Sequence, residues 1–165
     1  MRLFFLFFSI LFLSCTENKD SISIEGNWYI GDLATDENEF REGNENFVYQ
    51  ELYINKSQFF HFKSIIGFRK PYYYKIENDT LFLRGNKNED FESIGKLTFN
   101  KKGFSVINKE GPLNFFRLQN VDNTLDKFIK KKDNSYFFEQ KGTKYTQGFL
   151  DRKNEYYTKL KSKRR

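Results

Sequence analysis

The sequence predicts a mainly β protein, an antiparallel up-and-down barrel of about eight strands followed by C-terminal α-helices. Between Ile24 and Asn120 aromatic and β-branched residues come in short runs that polar turns separate, which is typical of a meander. Beyond Asn120 the apolar residues take up helical spacing. A flat sheet of eight strands would leave two exposed edges, and closure into a barrel removes both.

The turns between the predicted strands are short and rich in Asn, Asp and Gly. Examples are Asn78-Asp79 and Lys101-Lys102-Gly103. These residue types tolerate the positive φ that tight hairpins require. The predicted strands lie near residues 26 to 33, 47 to 54, 58 to 65, 69 to 77, 80 to 84, 92 to 100, 103 to 109 and 113 to 119.

Alternation within the strands predicts which side chains point into the barrel. The predicted inward residues that form a candidate ligand-binding set are Tyr49, Tyr53, Phe60, Phe62, Tyr72 and Tyr74. Arg84 is added as a candidate that orients a polar end of the ligand, with Lys75 as the alternative for this role. The opposite faces also carry apolar residues, such as Leu52, Ile54 and Phe59. We therefore expect the C-terminal helices to cover part of the outside of the barrel.

Two helices are predicted after the last strand. The first has apolar residues at i, i+4, i+7 and i+8 and a cap at Asp122 or Asn123; its apolar residues are Val121, Leu125, Phe128 and Ile129. The second covers about 143 to 161, and its apolar stripe is Tyr145, Phe149, Tyr156 and Leu160. Residues 135 to 140 between them fit either a short strand or a helical turn.

The N-terminus predicts export and lipidation. Arg2 precedes an apolar run from Leu3 to Leu13, which is too short to span a bilayer and fits a signal peptide. The run ends at Ser14-Cys15, which resembles a bacterial lipobox, and Cys15 is the one cysteine in the chain. A diacylglycerol on Cys15 and an N-acyl chain such as palmitate would suffice for stable anchoring. The alternative is an ordinary secretory signal with Cys15 incidental.

These features divide the chain into a signal peptide (1–14), a lipidated polar tether (15–23), a barrel (24–120) and a C-terminal helical segment (121–165). The last segment carries 13 basic and six acidic side chains, so that the basic character of the protein belongs to it. Beside a lipid anchor such a segment can lie against anionic headgroups. The alternative is a solvated helix face. Export argues against nucleic acid as the partner.

The first strand opens on Gly26-Asn27-Trp28, a G-x-W that resembles the signature of lipocalins and of the lipocalin-like lipoproteins of Bacteroidota. The resemblance implies that an arginine near the end of the last barrel strand lies over the tryptophan and closes the barrel floor by a cation–π contact. Arg117 stands at that position. The lipocalin T-D-Y motif is absent, since Asn100-Lys101-Lys102-Gly103 occupies its place.

The sequence contains few residues that could support catalysis or bind a metal ion. His61 is the one histidine, and its alternation with the predicted inward aromatics suggests that it faces the surface. With one histidine and no cysteine beyond Cys15, the usual zinc and transition-metal sites cannot be assembled. The carboxylates between Asp32 and Glu45 match no calcium loop and are read as an acidic loop. We expect no catalytic residue, no metal and no cofactor.

Two functions remain. The first is a non-enzymatic, lipid-anchored lipocalin-like protein of the cell envelope that binds a small hydrophobic ligand. It would sit at the outer membrane, on the periplasmic or the surface face. The second is an accessory lipoprotein with a solid barrel, which acts through protein or membrane-surface contacts. The sequence does not indicate an oligomeric state.

Overall fold

A computed structural model of the chain describes residues 23–31, 49–63, 66–132, 135–138 and 143–163. The predicted signal peptide, Cys15 and the tether up to residue 22 lie outside the described residues. So does the acidic segment that follows residue 31. The assignments made for these segments remain predictions.

Eight antiparallel strands form a closed barrel in sequence order. They are β1 (Gly26–Ile30), β2 (Gln50–Ile54), β3 (Gln58–Lys63), β4 (Gly67–Glu77), β5 (Thr80–Arg84), β6 (Glu92–Asn100), β7 (Gly103–Asn108) and β8 (Gly111–Arg117). Closure comes from β1 and β8, which place Trp28 opposite Arg117 and Ile30 opposite Phe115. The predicted fold class, an eight-stranded up-and-down barrel, is confirmed.

The hairpin turns have the chemistry that the sequence predicts. Asn78 and Asp79 both adopt positive φ, at 49° and 58°, as the two central residues of a tight hairpin do. At the β6–β7 turn the side-chain oxygen of Asn100 accepts hydrogen bonds from the backbone N–H groups of Lys102 (2.8 Å) and Gly103 (3.0 Å). These local bonds replace the ladder bonds that the reversing chain gives up.

After the barrel come a 3-10 turn (Leu125–Lys127), a two-stranded sheet of β9 (Ile129–Lys132) and β10 (Ser135–Phe138), and a helix, α1 (Thr143–Lys163). The helix predicted over 143 to 161 is therefore confirmed. Of the segment that fitted either a strand or a helical turn, residues 135–138 form a strand.

The helix predicted over 121 to 129 is wrong. Asn120 and Asn123 adopt positive φ, which a helix does not tolerate, and only one short turn forms at Leu125. The Asn27 side chain fixes that turn, because its amide nitrogen donates to Asp126 Oδ1 over 2.9 Å. From Ile129 onward the chain pairs with the aromatic strand β10 instead of continuing a helix.

Two separate apolar clusters stabilise the molecule. The first draws on all eight barrel strands and fills the interior; its buried members are Ile24, Trp28, Leu52, Ile54, Phe59, Leu81, Leu97, Phe104, Val106 and Phe115. The second lies outside the barrel, where α1 and the β9–β10 hairpin cover strands β1 to β4. Its buried members are Tyr49, Phe60, Phe62, Leu125, Tyr145, Phe149, Tyr156, Tyr157 and Leu160.

The inward assignment of Tyr49, Tyr53, Phe60 and Phe62 is wrong. All four belong to or pack on the outer cluster, and Leu52, Ile54 and Phe59 on the opposite faces of β2 and β3 fill the interior instead. Alternation cannot tell the two faces apart here, because α1 buries the outer face as fully as the barrel buries the inner one. Tyr72 and Tyr74 do face the interior.

Candidate functional site

One end of the barrel is closed by the pair that the G-x-W resemblance singles out. The guanidinium carbon of Arg117 lies 4.7 Å from the centroid of the Trp28 ring. Arg117 also donates to the backbone oxygen of Glu25 over 2.8 Å, and the Trp28 indole N–H donates to that of Ile24 over 2.8 Å. Gly26 has a φ of +132°, and a Cβ there would lie 3.2 Å from the guanidinium. The contact implied by the resemblance is present in the structure.

Aromatic rings fill the interior above this closed end. Phe104 packs edge-on against Trp28, with 4.8 Å between ring centroids, and stacks on Phe115 at 4.4 Å. Further along, Phe59 meets Tyr74 edge-on at 5.1 Å. Such contacts leave the closed half of the barrel as a packed core.

The interior side chains near the opposite end are less covered. Ile30, Tyr72, Leu83 and Ile94 pack on the interior cluster but are only half-buried. Leu113 shares the inner face with its partner Val106 and is 39 % exposed. The barrel is therefore packed at one end and accessible at the other, which we call the open end.

A group of polar and basic side chains stands on the inner face at the open end. Gln50 and His61 belong to it because each alternates with interior residues, and His61 lies opposite the interior Leu52. Arg69 lies opposite His61, and Lys63 lies opposite Gly67. We call Gln50, His61, Lys63 and Arg69 the rim cluster. The rim cluster could not be predicted from the sequence, because its residues face inward only once it is known which faces of β2, β3 and β4 line the barrel.

The surface position predicted for His61 is thereby wrong, since its ring lies inside the barrel wall. Its Nε2 atom is 2.7 Å from Gln50 Oε1. An amide oxygen only accepts, so the ring nitrogen is the donor. Burial, and after it the positive charges of Lys63 and Arg69, lower the pKa of His61 to about 4. At neutral pH the ring is uncharged.

The buried histidine predicts a pH dependence of stability. The unfolded chain, with an ordinary histidine pKa of 6.5, binds a proton that the native state rejects between about pH 6.5 and 4. The free energy of unfolding should therefore fall as the pH is lowered through this window, by up to about 3 kcal/mol from this residue. Urea melts at several pH values should show a weaker fall for His61→Gln. An identical pH profile in the variant would contradict the assignment.

Arg84, the remaining ligand candidate, does not face the interior. It pairs with Tyr73 on the outer side of the sheet, and its guanidinium carbon lies 4.3 Å from the Phe91 ring centroid and 5.7 Å from that of Tyr73. Of the seven predicted ligand-binding residues the structure thus brings together only Tyr72 and Tyr74 in the interior. The Tyr74 hydroxyl is already engaged, since it donates to the backbone oxygen of Asn55 over 2.9 Å.

A buried ion pair holds α1 on the outside of the barrel. The carboxylate of Glu51 is fully buried, and the guanidinium of Arg152 donates to both of its oxygens, at 2.7 and 2.9 Å. The hydroxyls of Tyr49 and Tyr145 also donate to this carboxylate, over 2.8 and 3.1 Å. Burial and the neighbouring Glu51 charge raise the pKa of both tyrosines, which therefore stay protonated as donors. The arrangement is a satisfied structural network.

Two cavities lie outside the barrel. One, of about 260 Å³, lies between α1 and β1 and is lined by Tyr29, Tyr49, Arg152 and Tyr156 among others. The other, of about 710 Å³, is an open polar groove beside Asn123 and Gly148. Neither is lined by a residue of the interior cluster.

The described part of the chain offers no grouping of three or more His, Cys, Asp or Glu residues that would hold a metal ion. Within the same residues, α1 is not apolar enough over its length to serve as a membrane-spanning helix.

The fold and the Trp28–Arg117 floor define a closed eight-stranded barrel that is consistent with a lipocalin-like fold. Comparisons with protein-family models, curated proteins and solved structures found no match to the chain. The likeness to lipocalins accordingly rests on topology and on the residues at the closed end.

Proposed function

We propose that this protein is a non-enzymatic, lipid-anchored binding protein of the bacterial cell envelope, whose barrel takes one small, largely apolar molecule at its open end. Anchoring through Cys15 is inferred from the signal-like N-terminus and the lipobox-like Ser14-Cys15. The binding role is inferred from the barrel, because small closed barrels hold a single ligand inside the mouth.

The proposal rests on one observation: the interior side chains are buried at the closed end of the barrel and partly exposed at the open end. Trp28, Phe104 and Phe115 are buried at the closed end, whereas interior-facing Leu83 and Leu113 remain partly in contact with solvent at the open end. Apolar surface that faces inward without being covered is surface that a ligand can bury, at about 25 cal/mol for each Å² removed from water. The ligand would rest on the packed core rather than penetrate to the floor.

Blocking the open end tests the proposal. In Leu113→Trp the larger side chain would occupy the mouth, and in the matched control Ile107→Trp the indole would point outward from a site of similar exposure, 45 % against 39 %. We expect organic extraction and mass spectrometry of the purified full chain to recover a molecule at near one per protein from the native chain and the control. The yield from Leu113→Trp should be several-fold lower. Equal yields from all three proteins, or none from any, would refute binding at the open end.

The packed core at the closed end of the barrel favours a second candidate, the solid-barrel accessory protein. Phe137 on β10 is 45 % exposed and lies opposite Lys130 in the hairpin, within the basic C-terminal segment. An aromatic side chain among lysines suits contact with an anionic membrane surface or an acidic partner. A native chain that yields no extracted molecule would favour this candidate over the carrier.

A further inference from the structure

The rim cluster places two cationic side chains and two neutral hydrogen-bonding side chains on the inner wall of the open end. β3 contributes His61 and Lys63, β4 contributes Arg69 opposite His61, and β2 contributes Gln50. These strands are adjacent in the barrel, so the four side chains converge on one sector of the mouth.

No carboxylate of β2, β3 or the facing part of β4 shares that inner face. Glu51 of β2 points to the outside, where Arg152 binds it, and Glu77 lies at the far end of β4 beside Lys75. Glu92 of β6 is on the inner face at the open end, but it is exposed and stands two strands away from β4. Among the described residues, then, Lys63 and Arg69 lie on neighbouring strands beside a neutral histidine, and no acidic side chain on β2, β3 or the facing part of β4 shares their face.

The cations of the rim cluster repel one another in the empty protein. Burial lowers the pKa of Lys63, and the charge of Arg69 lowers it further. The same two cations hold the pKa of His61 down. Lys63 is half-buried and Arg69 is exposed, and like charges that lie near one another are stabilised when an anion binds between them. Guanidinium and ammonium groups are also the donors that bind carboxylates and phosphates most strongly.

An apolar wall continues inward from these charges. Tyr72 of β4 and Leu83 of the neighbouring strand β5 both pack on the interior cluster together with Ile94, and all three remain half-buried. A molecule with an anionic group at the rim would place its apolar part against this wall. The two halves of the site thus match the two halves of an amphiphile.

We propose that the open end binds an amphiphilic anion, a carboxylate or phosphate attached to an apolar chain, with Lys63 and Arg69 holding the anionic group. The inference rests on the proposed binding function and specifies its ligand class. Binding requires no covalent step. A bound anion favours the protonated forms of Lys63 and His61, so it should raise the pKa of both side chains above their values in the empty protein.

The test uses the anchored full chain in phosphatidylcholine vesicles, with 11-(dansylamino)undecanoic acid and its methyl ester as probes. Trp28 is the one tryptophan in the chain, and energy transfer from it to the dansyl group, above the signal that remains with excess unlabelled laurate, reports probe bound to the barrel. We expect the acid to bind and the ester to bind at least tenfold more weakly. Arg69→Gln and Lys63→Gln should each weaken the acid about tenfold, because a hydrogen bond to a charged group contributes about 1.5 kcal/mol or more.

Lys101→Gln is the matched control, since it removes the same charge from an exposed turn at the closed end. It should leave the affinity unchanged. Competition by laurate and by dodecyl phosphate then separates a carboxylate from a phosphate preference. If the acid and the ester bind with equal affinity and Arg69→Gln changes neither affinity, the anion inference is refuted, but the proposed binding function is not. If neither probe gives energy transfer in the native chain, the binding function itself falls.

Discussion

Replacing Glu51 by glutamine should lower the free energy of unfolding by about 3 to 5 kcal/mol. Glutamine keeps the size of the side chain but removes the charge, so Arg152 would remain beneath α1 without its counterion. The side chain of Arg152 is only 15 % exposed, which prevents water from replacing the carboxylate. The hydroxyls of Tyr49 and Tyr145 would also lose a charged acceptor. Urea-induced unfolding monitored by circular dichroism measures the change.

A double-mutant cycle and a surface control complete this test. In Glu51→Gln/Arg152→Met both charges are gone, and the double variant should be clearly more stable than the sum of the two single changes implies. Glu155→Gln breaks the exposed pair with Lys159, whose side chains are 65 and 60 % exposed, and should change stability by less than about 1 kcal/mol. A Glu51→Gln variant that unfolds like the native chain would mean that α1 does not dock on β2.

Trp28→Ala should cost about 3 to 5 kcal/mol, the range for truncating a buried aromatic residue. Trp28 is 4 % exposed, meets Phe104 edge-on, and bonds through its indole N–H to the chain segment that crosses the closed end. Removing it leaves a cavity at the floor and strips the cation–π partner from Arg117. The change is read from urea melts by circular dichroism, because the variant has no tryptophan fluorescence.

Arg117→Ala separates the packing of the floor from its cation–π contact. Arg117 is itself exposed, so its loss should cost about 0.5 to 2 kcal/mol, clearly less than the loss of Trp28. Trp28→Phe keeps an aromatic ring and should fall between the two alanine variants. Trp28→Ala with native stability would refute the closed floor.

The number and order of the barrel strands could be read from the sequence because they depend on local chemistry. Asn78-Asp79 and the Asn100 turn reverse the chain through positive φ and side-chain bonds to the backbone, and both properties are local. Helix α1 was equally predictable from the stripe formed by Tyr145, Phe149 and Leu160, all fully buried in the structure. The pairing of Trp28 with Arg117 followed from a resemblance rather than from periodicity.

The helix expected over 121 to 129 shows where periodicity is insufficient. Val121, Leu125, Phe128 and Ile129 have helical spacing, yet the same residues can serve a 3-10 turn and a strand. Aromatic residues of β10 supply Ile129 and Lys131 with strand partners, and Asn27 of β1 holds the turn at Asp126. Partners distant in sequence decided the outcome, which is why a local pattern did not reveal it.

The sequence by itself determined eight strands joined by tight turns and a terminal amphipathic helix. It also predicted a signal peptide. Only the tertiary structure decided which faces of β2 and β3 look inward, and with them the positions of Tyr53, Phe60, Glu51 and His61. Alternation identifies the inner face of a strand when water covers the other face. Here α1 and the β9–β10 hairpin cover it, so both faces are apolar and the choice depends on contacts between distant parts of the chain.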